Sequence, residues 1–317
     1  MEKKPLIILT GPTAVGKTAL SIALAKAVDG EIISADSMQV YKGMDIGSAK
    51  IMPEEMQGVP HYLIDELEPD EEFHVVLFQQ LAKKYMQQIW KKGKVPILVG
   101  GTGFYIQAVL YDIDFTANES DGTWRQEMER LAREKGAAHL HQMLQKVDPK
   151  AAAEIHENNV KRVIRALEYY KESGEPISEH NAREREKEPP YNAVYFVLNQ
   201  ERQILYERIN RRVDQMLENG LLEEVKRLQQ KGYTRDMVSM QGLGYKEILD
   251  YLNGASTLEE AVYRLKRDTR HFAKRQLTWF KRERGIIWLN REEYSNEEAI
   301  LEEMKNEIEK RKIASCQ

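Results

Sequence analysis

Leu6-Ile7-Ile8-Leu9-Thr10-Gly11-Pro12-Thr13-Ala14-Val15-Gly16-Lys17-Thr18 is the stretch that decides the fold of this chain. Its first four residues form a short apolar run, the mark of a strand buried on both faces of a parallel sheet. Gly11 to Thr18 then fits G-x-x-x-x-G-K-[ST] at every position. Beyond it, Ala19, Ile22, Ala23 and Ala27 recur at helical spacing. Strand, glycine-rich loop and helix in that order make a phosphate-binding unit. The loop amides and the helix N-terminus favour an anion. Lys17 adds a point charge for terminal phosphate oxygens, and the Thr18 hydroxyl suits Mg²⁺. The loop specifies a polyphosphate; it specifies neither a nucleotide nor hydrolysis.

The same alternation continues outward. Glu31-Ile32-Ile33-Ser34 and Val95-Pro96-Ile97-Leu98-Val99 read as further buried strands. Between them Phe73, Val76, Leu77, Leu81, Tyr85 and Ile89 space an amphipathic helix over 73–92 that stops near Gly93. The stretch 123–180 carries only helical periodicity. It ends in the charged, proline-closed Arg183 to Pro190. Residues 192–198 read as a strand returning to the sheet, 201–218 and 221–231 as helices, 257–284 as a long helix, 286–289 as a last strand and 295–312 as an acidic helix. The fold class expected is α/β: a P-loop-containing parallel sheet core flanked by helices, with an all-helical insertion domain. The core spans 1–119 and 191–317, and the insertion 120–190.

Composition bounds the rest. A single cysteine, Cys316, among 317 residues excludes an internal disulfide framework and a cysteine-rich zinc site. No apolar stretch reaches the roughly 20 residues of a membrane span, and the run after Lys3 and Lys4 is short for a secretion signal. A cytoplasmic monomer is expected. The net charge of −4 argues against a polyanionic partner only as an average. Residues 264–284 hold nine basic and two acidic side chains, net +7, with Phe272, Trp279 and Phe280 interleaved. Eight glutamates between 292 and 309 mask them. Leu265, Phe272 and Trp279 at seven-residue steps predict a buried seam, with Arg267, Arg270, Lys274 and Lys281 as a ridge for nucleic acid. Lys161, Arg162 and Arg165 form a second basic cluster, and Arg208, Arg211 and Arg212 a third.

Ligands of open α/β sheets bind at the carboxyl ends of the strands. Asp36 follows the second strand and is expected to converge with Thr102 near the phosphate loop, as a general base toward a weakly acidic N–H or O–H. Taken alone, Asp36 also suits a turn or helix cap. Gly100-Gly101-Thr102-Gly103 replaces the acidic strand end typical of P-loop ATPases, and its glycines are expected to let a ligand approach the backbone. Two other readings share these features: a small-molecule kinase with Asp36 as base toward a hydroxyl, and an RNA-binding P-loop adaptor in which Asp36 is dispensable.

Taken together, Gly11 to Thr18, Asp36 to Lys50, Pro60 to Asp65, Gly100 to Gly103, Arg162 to Glu168 and Arg270 to Trp279 resemble, in order, the bacterial tRNA dimethylallyltransferase (tRNA isopentenyltransferase) family. Lys42, Ser48 and Phe104 stand where Arg, Thr and Leu are common there. The resemblance implies transfer of dimethylallyl from its diphosphate to N6 of the adenosine 3′ of the anticodon, with Mg²⁺ held at Thr18 and the tRNA anticodon stem-loop as partner. It implies that Gly11, Pro12, Thr13, Ala14, Val15, Gly16, Lys17, Thr18 and Arg212 bind the diphosphate. Asp36, Thr102 and Lys17 would be catalytic. Contacts to tRNA are implied for Asp36, Ser37, Met38, Gln39, Thr102, Arg125, Lys161, Arg162, Arg165, Gln241, Gly242, Gly244, Tyr245, Lys274, Arg275, Gln276, Thr278, Trp279 and Lys281.

Overall fold

A computed structural model describes residues 3–115 and 123–316. Its strands are β1 (Pro5–Thr10), β2 (Gly30–Ser34), β3 (His61–Tyr62), β4 (Val95–Gly100), β5 (Asn192–Asn199) and β6 (Ile286–Asn290). The helices are α1 (Lys17–Ala27), α2 (Val75–Lys91), α3 (Gly103–Leu110), α4 (Thr123–Lys135), α5 (Ala137–Val147), α6 (Pro149–Glu154), α7 (Val160–Ser173), α8 (Ile177–Glu186), α9 (Arg202–Glu218), α10 (Leu221–Gln230), α11 (Tyr245–Leu252), α12 (Leu258–Phe280) and α13 (Glu297–Lys310). The chain divides into two compact units, residues 1–110 with 190–317 and residues 111–189. The boundary expected at 119/120 lies outside the described residues.

The first unit holds one six-stranded sheet in the order β3-β2-β4-β1-β5-β6. All its pairings are parallel. Parallel strands need crossovers on the sheet faces, so both faces are covered and strands such as β1 are apolar on both sides. Ile7, Leu9, Ile32, Ile97, Val194, Phe196 and Leu289 point to one face and meet Leu20 and Leu24 of α1 and Ile300, Met304 and Ile308 of α13. Each such side chain, fully buried, contributes about 1.5–3 kcal/mol. The acidic α13 therefore turns an apolar stripe inward. On β1, alternate residues Leu6 and Ile8 point to the opposite face, where α2 packs on β2 and β4.

From β1 the chain crosses β4's position to β2 and β3, then returns through β4, while β5 and β6 extend the other side. The order reverses between β1 and β4. That places a crevice at their carboxyl ends, which is where both glycine-rich segments lie.

The second unit is helical throughout its described elements. Met128, Leu140, Leu144, Ala151, Val163, Ile164 and Leu167 form its own core. Asp148 is almost fully buried and caps α6 through Ala151 N at 3.0 Å. It also accepts from Ser178 N at 2.9 Å and Ser178 Oγ at 2.6 Å, tying α8 to α6.

Candidate active site

The phosphate loop leaves β1 at Gly11 and enters α1 at Lys17. Gly11 adopts φ +149° and packs so closely on Leu198 O that a Cβ has no room. Ala14 holds φ +64°, a left-handed conformation that alanine adopts only where its surroundings enforce it. The Gly16 cap offers α1 no side-chain hydrogen bond, and its first turn holds no acid. The first-turn amides are thus left for an anion. Thr18 lies exposed at this turn.

Lys17 bends back over the loop and donates to Gly11 O and Pro12 O, both at 2.9 Å. Burial first, and the Arg212 charge second, pull its pKa down to about 7; Asp36 opposes them. Arg212 is itself held below the usual arginine value by burial and by Arg208, again with Asp36 opposing. Asp36 has its carboxyl raised above the ordinary range by burial, against the pull of Met38 N, Lys17, Gln39 N and Arg212. Met38 N donates to Asp36 Oδ1 at 2.8 Å. The Asx turn is therefore real, and it fixes the same carboxylate that faces the two cations. Thr102 N donates to Ala35 O at 3.2 Å, which sets Thr102 beside the Asp36 backbone.

The GGTG glycines do something other than expected. A Cβ on Gly100 would strike Ala35 O, on Gly101 the Gln276 amide, and on Gly103 the Trp279 indole. The close approach they permit is to the protein itself. Gln276 is buried, accepts from Thr13 N at 2.9 Å and donates to Gly101 O at 2.9 Å. Expected at tRNA, Gln276 instead ties the phosphate loop to the end of β4, because both backbone groups need a partner at that depth.

Tyr245 is corrected in the same way. It is fully buried, and its hydroxyl donates to Glu224 Oε1 at 2.8 Å. Glu224 also accepts from Asp45 N at 3.0 Å, Ile46 N at 2.8 Å and Gly47 N at 3.1 Å. This buried carboxylate fixes the turn that follows Asp36 to Gln39. Gly244, buried as well, caps α11 beside it. Lys50 holds the next turn, on Asp45 at 2.6 Å, Asp65 at 2.5 Å and Tyr41 O at 2.6 Å, which ties down the Asp65 end of the Pro60 to Asp65 segment. Met38 packs on Gly242, Ser37 and Gln39 are half-buried, and Gln241 is exposed. Gln39 bonds Ser34 Oγ and Ala49 O.

On α12 the inward residues are Ala261, Leu265, Ala273, Gln276 and Phe280. Phe272 and Trp279 are only half-buried, so the expected seam drifts off the core. Trp279 lies edge-on to Phe104 at 6.0 Å. Lys266 pairs with Asp214 at 2.5 Å, Arg267 with Asp268 at 2.8 Å, and Arg270 donates to Asn210 at 2.6 Å. Lys274, Arg275, Thr278, Lys281 and Arg282 are exposed. All of these but Lys281, with His271 and Trp279, line a shallow groove of about 400 Å³.

Two guanidiniums at the phosphate loop escaped the sequence reading as site residues. Arg291 Nη1 donates to Val15 O at 3.2 Å and would lie 2.9 Å from a Cβ on Gly16. Arg208 Nη2 would lie 3.2 Å from that Cβ, and burial and Arg291 hold Arg208 below the usual arginine value. Arg291 directly follows β6, at a carboxyl strand end; that position was its one signal. Of the remaining tRNA candidates, Arg125, Lys161, Arg162 and Arg165 belong to the second unit. Arg125 Nε and Nη2 donate to Glu168 at 3.2 and 2.6 Å, and Arg165 Nη1 at 3.0 Å. Lys161 and Arg162 are exposed on α7.

A sequence model described as IPP transferase matches residues 39–283. The tRNA dimethylallyltransferase of Lachnoclostridium phytofermentans is 64% identical over 301 residues, 95% of this chain and 96% of that protein. That of Carboxydothermus hydrogenoformans is 55% identical over 285 residues, 90% and 91% of the two. Among solved structures, the full-length tRNA isopentenylpyrophosphate transferase of Bacillus halodurans aligns with TM-score 0.74 at 48% identity, covering 98% of this chain and 97% of that one. A eukaryotic dimethylallyltransferase acting on tRNA aligns with TM-score 0.79 at 33% identity, covering 90% and 74%.

Proposed function

Because the chain belongs to the IPP transferase family, we propose that it transfers dimethylallyl from dimethylallyl diphosphate to N6 of the adenosine 3′ of the anticodon in tRNA. The observation that carries this reading is the mutual approach of Lys17, Arg212 and Asp36 at the sheet's carboxyl edge. Two half-buried basic side chains suit a leaving diphosphate, and the half-buried carboxylate beside them suits the proton given up.

In the proposed step the N6 nitrogen forms a bond to the allylic carbon. The carbon–oxygen bond to diphosphate breaks, and its electron pair leaves with the diphosphate. The N6 proton passes to Asp36. An exocyclic adenine amine is a weak nucleophile, so a carboxylate accepting its N–H raises electron density as the bond forms. Burial raises the Asp36 carboxyl and so strengthens it as a base, with Lys17 and Arg212 opposing the rise. The allylic carbon tolerates positive charge, and the phosphate loop, Lys17 and Arg212 stabilise the departing anion. Thr102, beside Asp36, is assigned to the adenosine. The exposed face of α12 and the cations of α7 are assigned to the tRNA backbone.

The residues suit Mg²⁺. Thr18 offers a hydroxyl at the loop, and the diphosphate brings charged oxygens, the donor set Mg²⁺ takes at phosphate sites. Among the described residues no cluster of three His, Cys, Asp or Glu forms a separate cage. Bound there, Mg²⁺ supplies further neutralisation of the leaving group. No described helix is long and apolar enough to cross a membrane, in keeping with a cytoplasmic enzyme, which we take to act as a monomer.

The test is labelled dimethylallyl diphosphate with unmodified tRNA and Mg²⁺. Label is expected on the adenosine with wild type and lost with Asp36→Asn. Unlabelled tRNA from wild type overturns the reading, and full activity in the variant overturns the role of Asp36.

A further inference from the structure

Glu168 is a carboxylate only 1% exposed in the second unit. A buried charge persists where oppositely charged donors surround it. Here two arginines from two helices do so. Arg125 of α4 grips it side-on, Nε to Oε1 at 3.2 Å and Nη2 to Oε2 at 2.6 Å, and Arg165 of α7 adds Nη1 to Oε2 at 3.0 Å. Both guanidiniums keep an outward side: their side chains are 50% and 35% exposed. One negative charge thus holds two positive ones side by side at the surface. Lys161 and Arg162, exposed one turn earlier on α7, continue the ridge. Glu129 and Glu172 also face Arg125 electrostatically.

We propose that Glu168 is a positioning residue for tRNA: it presents Arg125 and Arg165 as a fixed pair of forks for the sugar–phosphate backbone. The proposal rests on tRNA being the substrate. A guanidinium reads phosphate through paired N–H donors whose direction matters. A long side chain swinging in water loses that direction, whereas one anchored at its inner edge keeps it. Without the carboxylate the two guanidiniums repel each other and splay.

Charge counting and positioning predict opposite outcomes for Glu168→Gln. The substitution raises net charge by one, so a purely electrostatic surface binds tRNA more tightly. Under positioning, KM and Kd for tRNA rise about tenfold, equivalent to about 1.4 kcal/mol, while kcat and KM for dimethylallyl diphosphate hold. Glu168→Asp falls between. Unchanged or tighter tRNA binding by a folded Glu168→Gln protein overturns the proposal. Should that variant fail to fold, Arg125→Lys with Arg165→Lys decides, since it keeps both charges at partly exposed positions and removes the forks. A loss of about tenfold supports positioning, and wild-type affinity overturns it. Direct tRNA binding is scored apart from label transfer, so a wild type that binds tRNA but transfers nothing counts against the proposed chemistry and leaves Glu168 to its own test.

Discussion

Lys17 and Arg212 are cations set beside the phosphate loop, whereas Lys274 and Arg275 on the outer face of α12, and Arg282 just past its end, stand in water. Burial acts on the first pair so strongly that Lys17 falls to about 7. It leaves the second group in bulk solvent. A charge in a low-dielectric crevice acts over a few ångströms and is little screened by salt. Charges on an exposed helix act through released counterions, additively and with steep salt dependence. The contrast matches two anions of different kinds. A small diphosphate needs its charge met at the moment a bond breaks, and a long backbone needs to be caught and held in register.

The sharpest break of this comparison comes from Asp36, the carboxylate that Lys17 and Arg212 face. Asp36→Asn keeps the Asx turn to Met38 N and removes the proton acceptor. A fall of about 10²–10⁴ in kcat is expected, with tRNA affinity retained; single-turnover transfer measures it. In wild type the acid limb of kcat/KM should lie above the ordinary carboxylate range, since burial raises Asp36. Next in size is Lys17→Ala. Loss of one preorganised charge on the leaving group is expected to cost about 10²–10³ in kcat/KM for dimethylallyl diphosphate, with little change in tRNA Kd. A large loss of tRNA binding instead would mean the two cation sets are one site. Smaller again is joint replacement of Lys274, Arg275 and Arg282 by alanine. Transfer at saturating tRNA should survive, while the slope of log K against log salt flattens by about one per lost phosphate contact. An unaltered slope would make this groove structural. Arg270 is a poor choice for this test, because its bond to Asn210 makes it part of the packing between α12 and α9.

Which of these groups sequence could reveal follows from how far apart their determinants lie. The phosphate loop is local: strand, turn and helix are written in consecutive residues, so Lys17 and Thr18 are legible at once. Asp36 and Thr102 needed only the rule about strand ends, and Ala35 O to Thr102 N shows the two segments side by side. The fold was legible for the same reason, apart from its shortest pieces. β3 is two residues long, and α3 begins inside a glycine run that reads as loop. α11 spans only eight residues behind Gly244. On α12 the seven-residue spacing misled, because a straight helix drifts about 20° per heptad; Ala273, Gln276 and Phe280 face inward, where Phe272 and Trp279 were expected to. Gln276, Glu224 and Arg291 were out of reach for a further reason. Each is a polar side chain whose partner is the backbone of a segment distant in the chain, and register alone reveals that pairing.

The finest test concerns protons rather than rates. Free Lys17, with a pKa of about 7, is mostly neutral at pH 8. Bound against a diphosphate it must be charged, because the anion favours the protonated form. Binding at pH 8 and above should therefore take up close to one proton per site, and binding near pH 6 close to none from Lys17. Calorimetry in two buffers of different ionisation enthalpy measures the uptake. Protons released by the diphosphate itself appear in every variant, so the difference between wild type and Lys17→Arg isolates the lysine: an arginine is charged throughout and contributes no uptake. Equal uptake in both would remove Lys17 as the source. The same shift has a signed consequence for the ligand-free protein. Between pH 7 and the ordinary lysine value the unfolded chain binds a proton that the folded one does not, so this group's contribution to stability rises with pH across that interval. Lys17→Arg, charged at every pH in use, should lose that rise, and the comparison of melting curves at pH 6.5 and 9 separates a lysine held in a desolvated crevice from one that merely lies near it.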